Sequence, residues 1–126
     1  MAKFLIQRGK GREGSTCYAY TAAGHNECVC TRLHDKDGGG ANDVEGGKMI
    51  MGITYFAPAG GTDFANNPME SIYYILEGEM TLKVEDEAPV VLHKGDSFRC
   101  AGGVNKSVTN TGDTVTQMLV CLLPPQ

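Results

Sequence analysis

At 126 residues the chain is the size of one domain with a single core. Hydrophobic residues make up 41%, which excludes a disordered or fibrous chain, and 15 acids against 11 bases argue against a grip on nucleic-acid phosphate. No apolar run approaches the roughly 18 residues of a membrane span. The apolar part of Met1-Ala2-Lys3-Phe4-Leu5-Ile6 is too short for a signal peptide, so a cytoplasmic protein with no nucleic-acid or membrane partner is expected.

In chain order, short runs rich in β-branched and aromatic residues predict strands at Phe4–Gln7, Cys17–Tyr20, Glu27–Leu33, Met49–Phe56 and Ile72–Leu76. Further strands are expected at Met80–Val84, Val90–His93, Ser97–Cys100, Lys106–Asn110 and Val115–Leu122. None carries an apolar stripe of helical period. The 17 glycines cluster in the turns, and neither Gly9–Gly14 nor Gly38–Gly47 has the spacing of a phosphate-binding loop. Glu77-Gly78-Glu79 and Asn110-Thr111-Gly112-Asp113 read as tight hairpin connections. His34–Gly47 reads as one long polar loop, a class that often forms lids. So many short strands in one small domain predict a sandwich or a barrel.

The five cysteines lack the spacing of a secreted disulfide framework and read as reduced thiols. Cys28 and Cys30 would share a face of one strand. Zinc there would need two more ligands, and His25 and His34 are the nearby candidates. Small buried side chains are the commoner role for such thiols.

Pro58-Ala59-Gly60-Gly61, followed by Glu70-Ser71-Ile72-Tyr73-Tyr74-Ile75-Leu76-Glu77-Gly78-Glu79, resembles the first sequence motif of the cupin superfamily. That motif runs from a glycine through an HxH pair and a glutamate to an apolar strand closed by a glycine turn. Gly95-Asp96-Ser97-Phe98-Arg99-Cys100-Ala101-Gly102-Gly103 resembles the second motif, with Asn110 at its closing position. The resemblance spans residues 48–123 and implies an all-β, cupin-type barrel, also called a double-stranded β-helix or jelly roll. It implies a single domain over residues 1–126, with N-terminal strands and glycine-rich loops in 1–47 and the barrel core in 48–123. It also implies a homodimer built by pairing N-terminal strands, for which Phe4–Gln7 is the candidate.

Cupins that hold a metal draw three histidines and a glutamate from these motifs. Counting back from Gly78 puts Ser71 at the glutamate, with Asn67 and Ala65 at the paired histidines. Counting forward from Gly95 puts Lys106 at the last histidine. A slip of one residue would place Glu70 at the carboxylate, with Asn66 and Phe64 at the histidines. Neither register supplies an imidazole, the neutral ligand that suits Fe, Zn, Cu and Ni. The expectation is therefore no metal and no other cofactor.

An inward Lys106 would give the barrel a positive charge and a small, anionic ligand. It could hold a carboxylate or enolate oxygen, or act as a base or Schiff-base nucleophile. The alternative is a lysine at the barrel mouth, its stem covering apolar surface. Glu70 and Asp63 are the natural acid–base partners, and with Lys106 they form the expected catalytic set. If Ser71, Tyr73 and Ile75 face inward, strand alternation turns Glu70 outward, and both orientations stay open. Tyr73 and Tyr55 could donate phenolic hydrogens to a ligand, Ser71 and Asn67 could hydrogen-bond it, and Phe98 and Cys100 could line its pocket. The first functional expectation is a metal-independent lyase, isomerase or decarboxylase acting on a small organic acid or carbonyl compound. The alternatives are a non-catalytic small-molecule-binding or sensing cupin, and an accessory subunit of a larger enzyme.

Overall fold

The computed structural model describes residues 3–40 and 42–125. Met1, Ala2, Ala41 and Gln126, which the N-terminal, loop and single-domain readings include, lie outside the described residues. Ten strands carry the regular structure: β1 (Tyr18–Tyr20), β2 (His25–His34), β3 (Ile50–Thr62), β4 (Ala65–Asn66), β5 (Glu70–Glu77), β6 (Glu79–Val84), β7 (Val90–His93), β8 (Ser97–Cys100), β9 (Asn105–Thr109) and β10 (Thr116–Leu123). All pair antiparallel, in the order β7-β6-β9-β3-β10-β5-β8, with β2 joining β1 to β3 and β4 lying on β9. The sheet curls into the expected jelly-roll barrel. No helix among the described residues is long and apolar enough to cross a membrane.

Side-chain alternation sets what faces the lumen. On β5, Ser71 and Ile75 are buried while Ile72 and Tyr74 are exposed. On β3, Ile50, Thr54 and Phe56 are buried, and Met118 of β10 lies across from Thr54. Phe56, Ile75, Met80, Leu82, Leu92, Val108 and Met118 pack into one core.

The structure corrects the sequence reading in three places. Phe4–Gln7 is not a strand. Gln7 instead fastens this segment by its side chain: Nε2 donates to the Thr16 hydroxyl at 2.9 Å and to the Leu33 carbonyl at 3.0 Å, and Oε1 accepts from the Thr16 amide at 2.8 Å. Second, β3 runs past Phe56 to Thr62, so one long strand meets β2 along its length, β10 along its first half and β9 at its far end. Third, the two tight turns do not close hairpins. β5 pairs with β10 and β8, whereas β6 pairs with β7 and β9, so the Gly78 turn carries the chain from one wall to the other. The turn from β9 to β10 is likewise a crossing between strands that do not pair.

Asn110 accounts for the second crossing. Its Nδ2 donates to the carbonyls of Phe56 and Thr114 at 3.0 and 2.8 Å, while Oδ1 accepts from the Gly112 amide at 2.9 Å. The side chain fixes a turn and leaves nothing for a ligand.

Candidate functional site

A cavity of about 260 Å³ occupies the barrel lumen beside the core. That is just below the range of about 300–1,000 Å³ for drug-sized ligands, and it suits a smaller molecule. Its waist is apolar, formed by Phe56, Val108, Met118 and Val120. Polar side chains reach it in two groups, one around Lys106 and one around Arg32.

Lys106 lies on β9 directly across from Ala65. The register thus brings together two positions at which the sequence motifs would place histidines. Its ammonium lies 5.5 Å from the centre of the Tyr73 ring, in cation–π range. Tyr73 in turn stacks on Phe98, with ring centres 4.5 Å apart and planes 15° from parallel. Among the described residues no carboxylate comes within salt-bridge distance of Lys106. Asp63 and Asn67 line the same cavity. Asp63 Oδ1 accepts from Asn26 Nδ2 at 2.9 Å, and Asn67 Oδ1 accepts from the Met69 amide at 2.9 Å, turning the chain around Pro68.

Five other expected site residues do not line the cavity. Glu70 begins β5 on the face opposite Ser71 and pairs with Arg99, whose Nε donates to Oε2 at 2.7 Å, so the expected catalytic carboxylate is engaged outside the lumen. Tyr55 falls between inward Thr54 and Phe56 and faces outward for the same period-two reason. Ser71 and Cys100 are opposite each other on β5 and β8 and are buried beside the cavity, not in its wall. Phe98 backs Tyr73 and packs against the core. Among its described residues the 34–47 loop lends the cavity no lining residue, but its buried Asp35 holds Arg32.

Arg32, Tyr20 and His25 line the cavity although the sequence reading assigned them no part in it. Arg32 Nη2 donates to the Tyr20 hydroxyl at 2.8 Å, Nη1 pairs with Asp35, and the Tyr18 hydroxyl donates to Asp35 at 3.1 Å. Burial works against the Arg32 charge, but the Tyr20 hydroxyl and the Asp35 carboxylate outweigh it and hold the guanidinium protonated. The signal was present: the period that puts Cys28 and Cys30 on one face reaches Arg32 two residues on. Burial, with Cys30 alongside, pushes the Cys28 thiol up to about 11, so it stays protonated at neutral pH. Among the described residues no three His, Cys, Asp or Glu side chains gather to hold a metal ion.

The family model described as Cupin domain matches residues 52–122, more than half of the chain. The chain belongs to the cupin family. A protein of Mycobacterium tuberculosis named beta-D-galactosidase is 29% identical over 106 residues, which are 84% of this cupin and 86% of that protein. A polyketide cyclase from Streptomyces resistomycificus superposes with a TM-score of 0.73 at 17% identity, over 96% of this chain and 81% of its own. A DMSP lyase from Ruegeria pomeroyi gives a TM-score of 0.65 at 26% identity, over 77% of this chain and 47% of the lyase.

In this cupin the four positions that could hold a metal carry Ala65, Asn67, Ser71 and Lys106. A methyl group, a carboxamide, a hydroxyl and a cation are not the donor set of a divalent transition ion.

Proposed function

We propose that this cupin is a metal-independent enzyme of the lyase, isomerase or decarboxylase kind, acting on a small organic acid or carbonyl compound held in the barrel. It works as a homodimer in the reducing cytoplasm and needs no cofactor. The observation that carries this reading is the Lys106 ammonium, which lines a small cavity and has no carboxylate within salt-bridge distance among the described residues. An ammonium so placed attracts a carboxylate or the oxygen of a developing enolate. The open lumen supports a ligand-handling role over that of an accessory subunit, and the reading of a non-catalytic binder shares the same anion site.

A second reading, hydrolysis of a β-galactoside, draws on the name of the Mycobacterium tuberculosis relative. Glycoside hydrolysis ordinarily uses two carboxylates flanking the bond, and Asp63 is the lone carboxylate in the lining among the described residues. The geometry therefore favours the first reading.

Calorimetric titration with pyruvate, acetoacetate and malonate tests it. A charge-assisted hydrogen bond contributes about 1.5–3 kcal/mol. Lys106→Met should thus weaken binding by roughly 10- to 100-fold, while prior treatment with a chelator leaves the wild type unchanged. Equal affinity in Lys106→Met would remove the anion site from the account, and loss of binding after chelation would restore a metal to it.

A further inference from the structure

His25 is the first residue of β2 and lies opposite Thr62, at the same end of the cavity as Asp63. The turn before it is fixed: its amide donates to the Ala22 carbonyl at 3.2 Å, Gly24 takes a φ of 74°, and the Asp63 amide donates to the Gly24 carbonyl at 2.8 Å. That turn brings the Ala23 carbonyl 3.2 Å from His25 Nδ1. A carbonyl oxygen can only accept, so Nδ1 carries the hydrogen and Nε2 of the neutral ring carries the lone pair. Nε2 has no hydrogen-bond or salt-bridge partner among the described residues. Among the described residues the cavity therefore holds an oriented imidazole with a free Nε2 and an ammonium without a salt-bridge partner.

We infer that His25 is the catalytic proton-transfer residue of this cavity, an inference that rests on Lys106 as the anchor of the anion. Asp63 is the competing base, but its Oδ1 is already engaged by Asn26, and a carboxylate is a weaker base than an imidazole. Nε2 takes the proton from a carbon next to the substrate carbonyl. The C–H electron pair becomes the carbon–carbon double bond of the enolate, and the carbonyl π pair moves to the oxygen beside Lys106. The imidazolium then returns the proton to a neighbouring atom in an isomerisation, or gives it to a β-substituent that leaves with its electron pair. Neither course needs an oxidant, a reductant or a further reactant.

The test has two parts. The tautomer of His25 is read from long-range ¹H–¹⁵N correlations on labelled protein, without any ligand, and the Nδ1–H form is expected. The exchange of pyruvate methyl protons in D₂O is followed by ¹H NMR, beside calorimetric binding of pyruvate, for wild type, His25→Asn, Asp63→Asn and Lys106→Met. Asparagine keeps a donor near the Ala23 carbonyl and deletes the base. It should therefore cost about 100-fold or more in exchange while pyruvate affinity is kept. Loss of exchange in Asp63→Asn with exchange kept in His25→Asn would name Asp63 as the base and overturn the assignment. His25→Gln carries the test if circular dichroism shows that His25→Asn does not fold.

An Nε2–H ring, or undiminished exchange in the histidine variants, would overturn the assignment. A wild type that binds pyruvate without exchanging its protons would overturn it too, and would leave the anion site standing. A wild type whose exchange depends on His25 but not on Lys106 would uphold the base and sink the anchor. Neither binding nor exchange would sink both.

Discussion

Ser71 is 2% exposed, and its hydroxyl is buried with no hydrogen-bond partner among the described residues. Asn110 is as deeply buried, yet both of its amide atoms are bonded. The contrast separates a residue that holds the fold from one the fold merely accommodates. A buried hydroxyl without a partner costs on the order of 1–3 kcal/mol. Ser71→Ala should therefore raise stability by about 1 kcal/mol, seen as a melting temperature higher by roughly 3–5 °C, with the binding of small acids unaltered. A lower melting temperature would show that the hydroxyl has a partner in solution. At the neighbouring motif positions the same reasoning gives the opposite result. Asn67 and Lys106 keep polar atoms on the cavity, and losing them is expected to be felt in binding more than in stability.

The Gly78 turn shows how a single residue directs an element. It takes a φ of 91°, and a Cβ there would lie 2.4 Å from Thr116 Oγ1. That hydroxyl accepts from the Glu79 amide at 3.0 Å and donates to the Glu79 carbonyl at 2.7 Å, clamping the passage from β5 to β6. Gly103 has a similar φ of 87° with open space around it. Strain of this kind costs about 1–3 kcal/mol. Gly103→Ala should lose about 1 kcal/mol, set by strain alone, whereas Gly78→Ala should lose about 2–3 kcal/mol or more because the clamp must also yield. Urea midpoints of the two variants decide it, and equal losses would remove the clamp from the account. Sequence reading located the turn but not what it joins, because a short glycine link reads alike whether the flanking strands pair or part. It stopped β3 at Phe56 because Pro58 and Gly60-Gly61 are strand breakers in general. Here the glycines let the backbone continue: a Cβ on Gly61 would meet the Val108 carbonyl oxygen at 2.2 Å.

Across the whole molecule, motif spacing made Lys106, Asn67 and Tyr73 readable as neighbours, since the barrel fixes which strand positions meet at the lumen. It could not reveal Arg32, Tyr20 or His25, because these come from β1 and β2, outside the two motifs, and reach the cavity through the pairing of β2 with β3 and of β1 with β2. The outer surface of the same strands carries the remaining argument. Ile72 and Tyr74 are each 42% exposed, with Cys121 and Leu119 of β10 opposite them, and Tyr55, 38% exposed, lies on β3 opposite Gln117. Exposed large apolar side chains gathered on one sheet face suit an interface with another protein surface. The Glu70–Arg99 pair at its edge supplies both charges, so a second copy related by a two-fold axis meets complementary groups. This sheet face, not a strand at Phe4–Gln7, is therefore the expected seat of the homodimer. Sedimentation equilibrium should give twice the 13.5 kDa of one chain. Tyr74→Glu, which places a charge on an exposed strand position without entering the core, should give a folded monomer. A monomeric wild type would sink the dimer, and a dimeric Tyr74→Glu would move its interface elsewhere on the barrel.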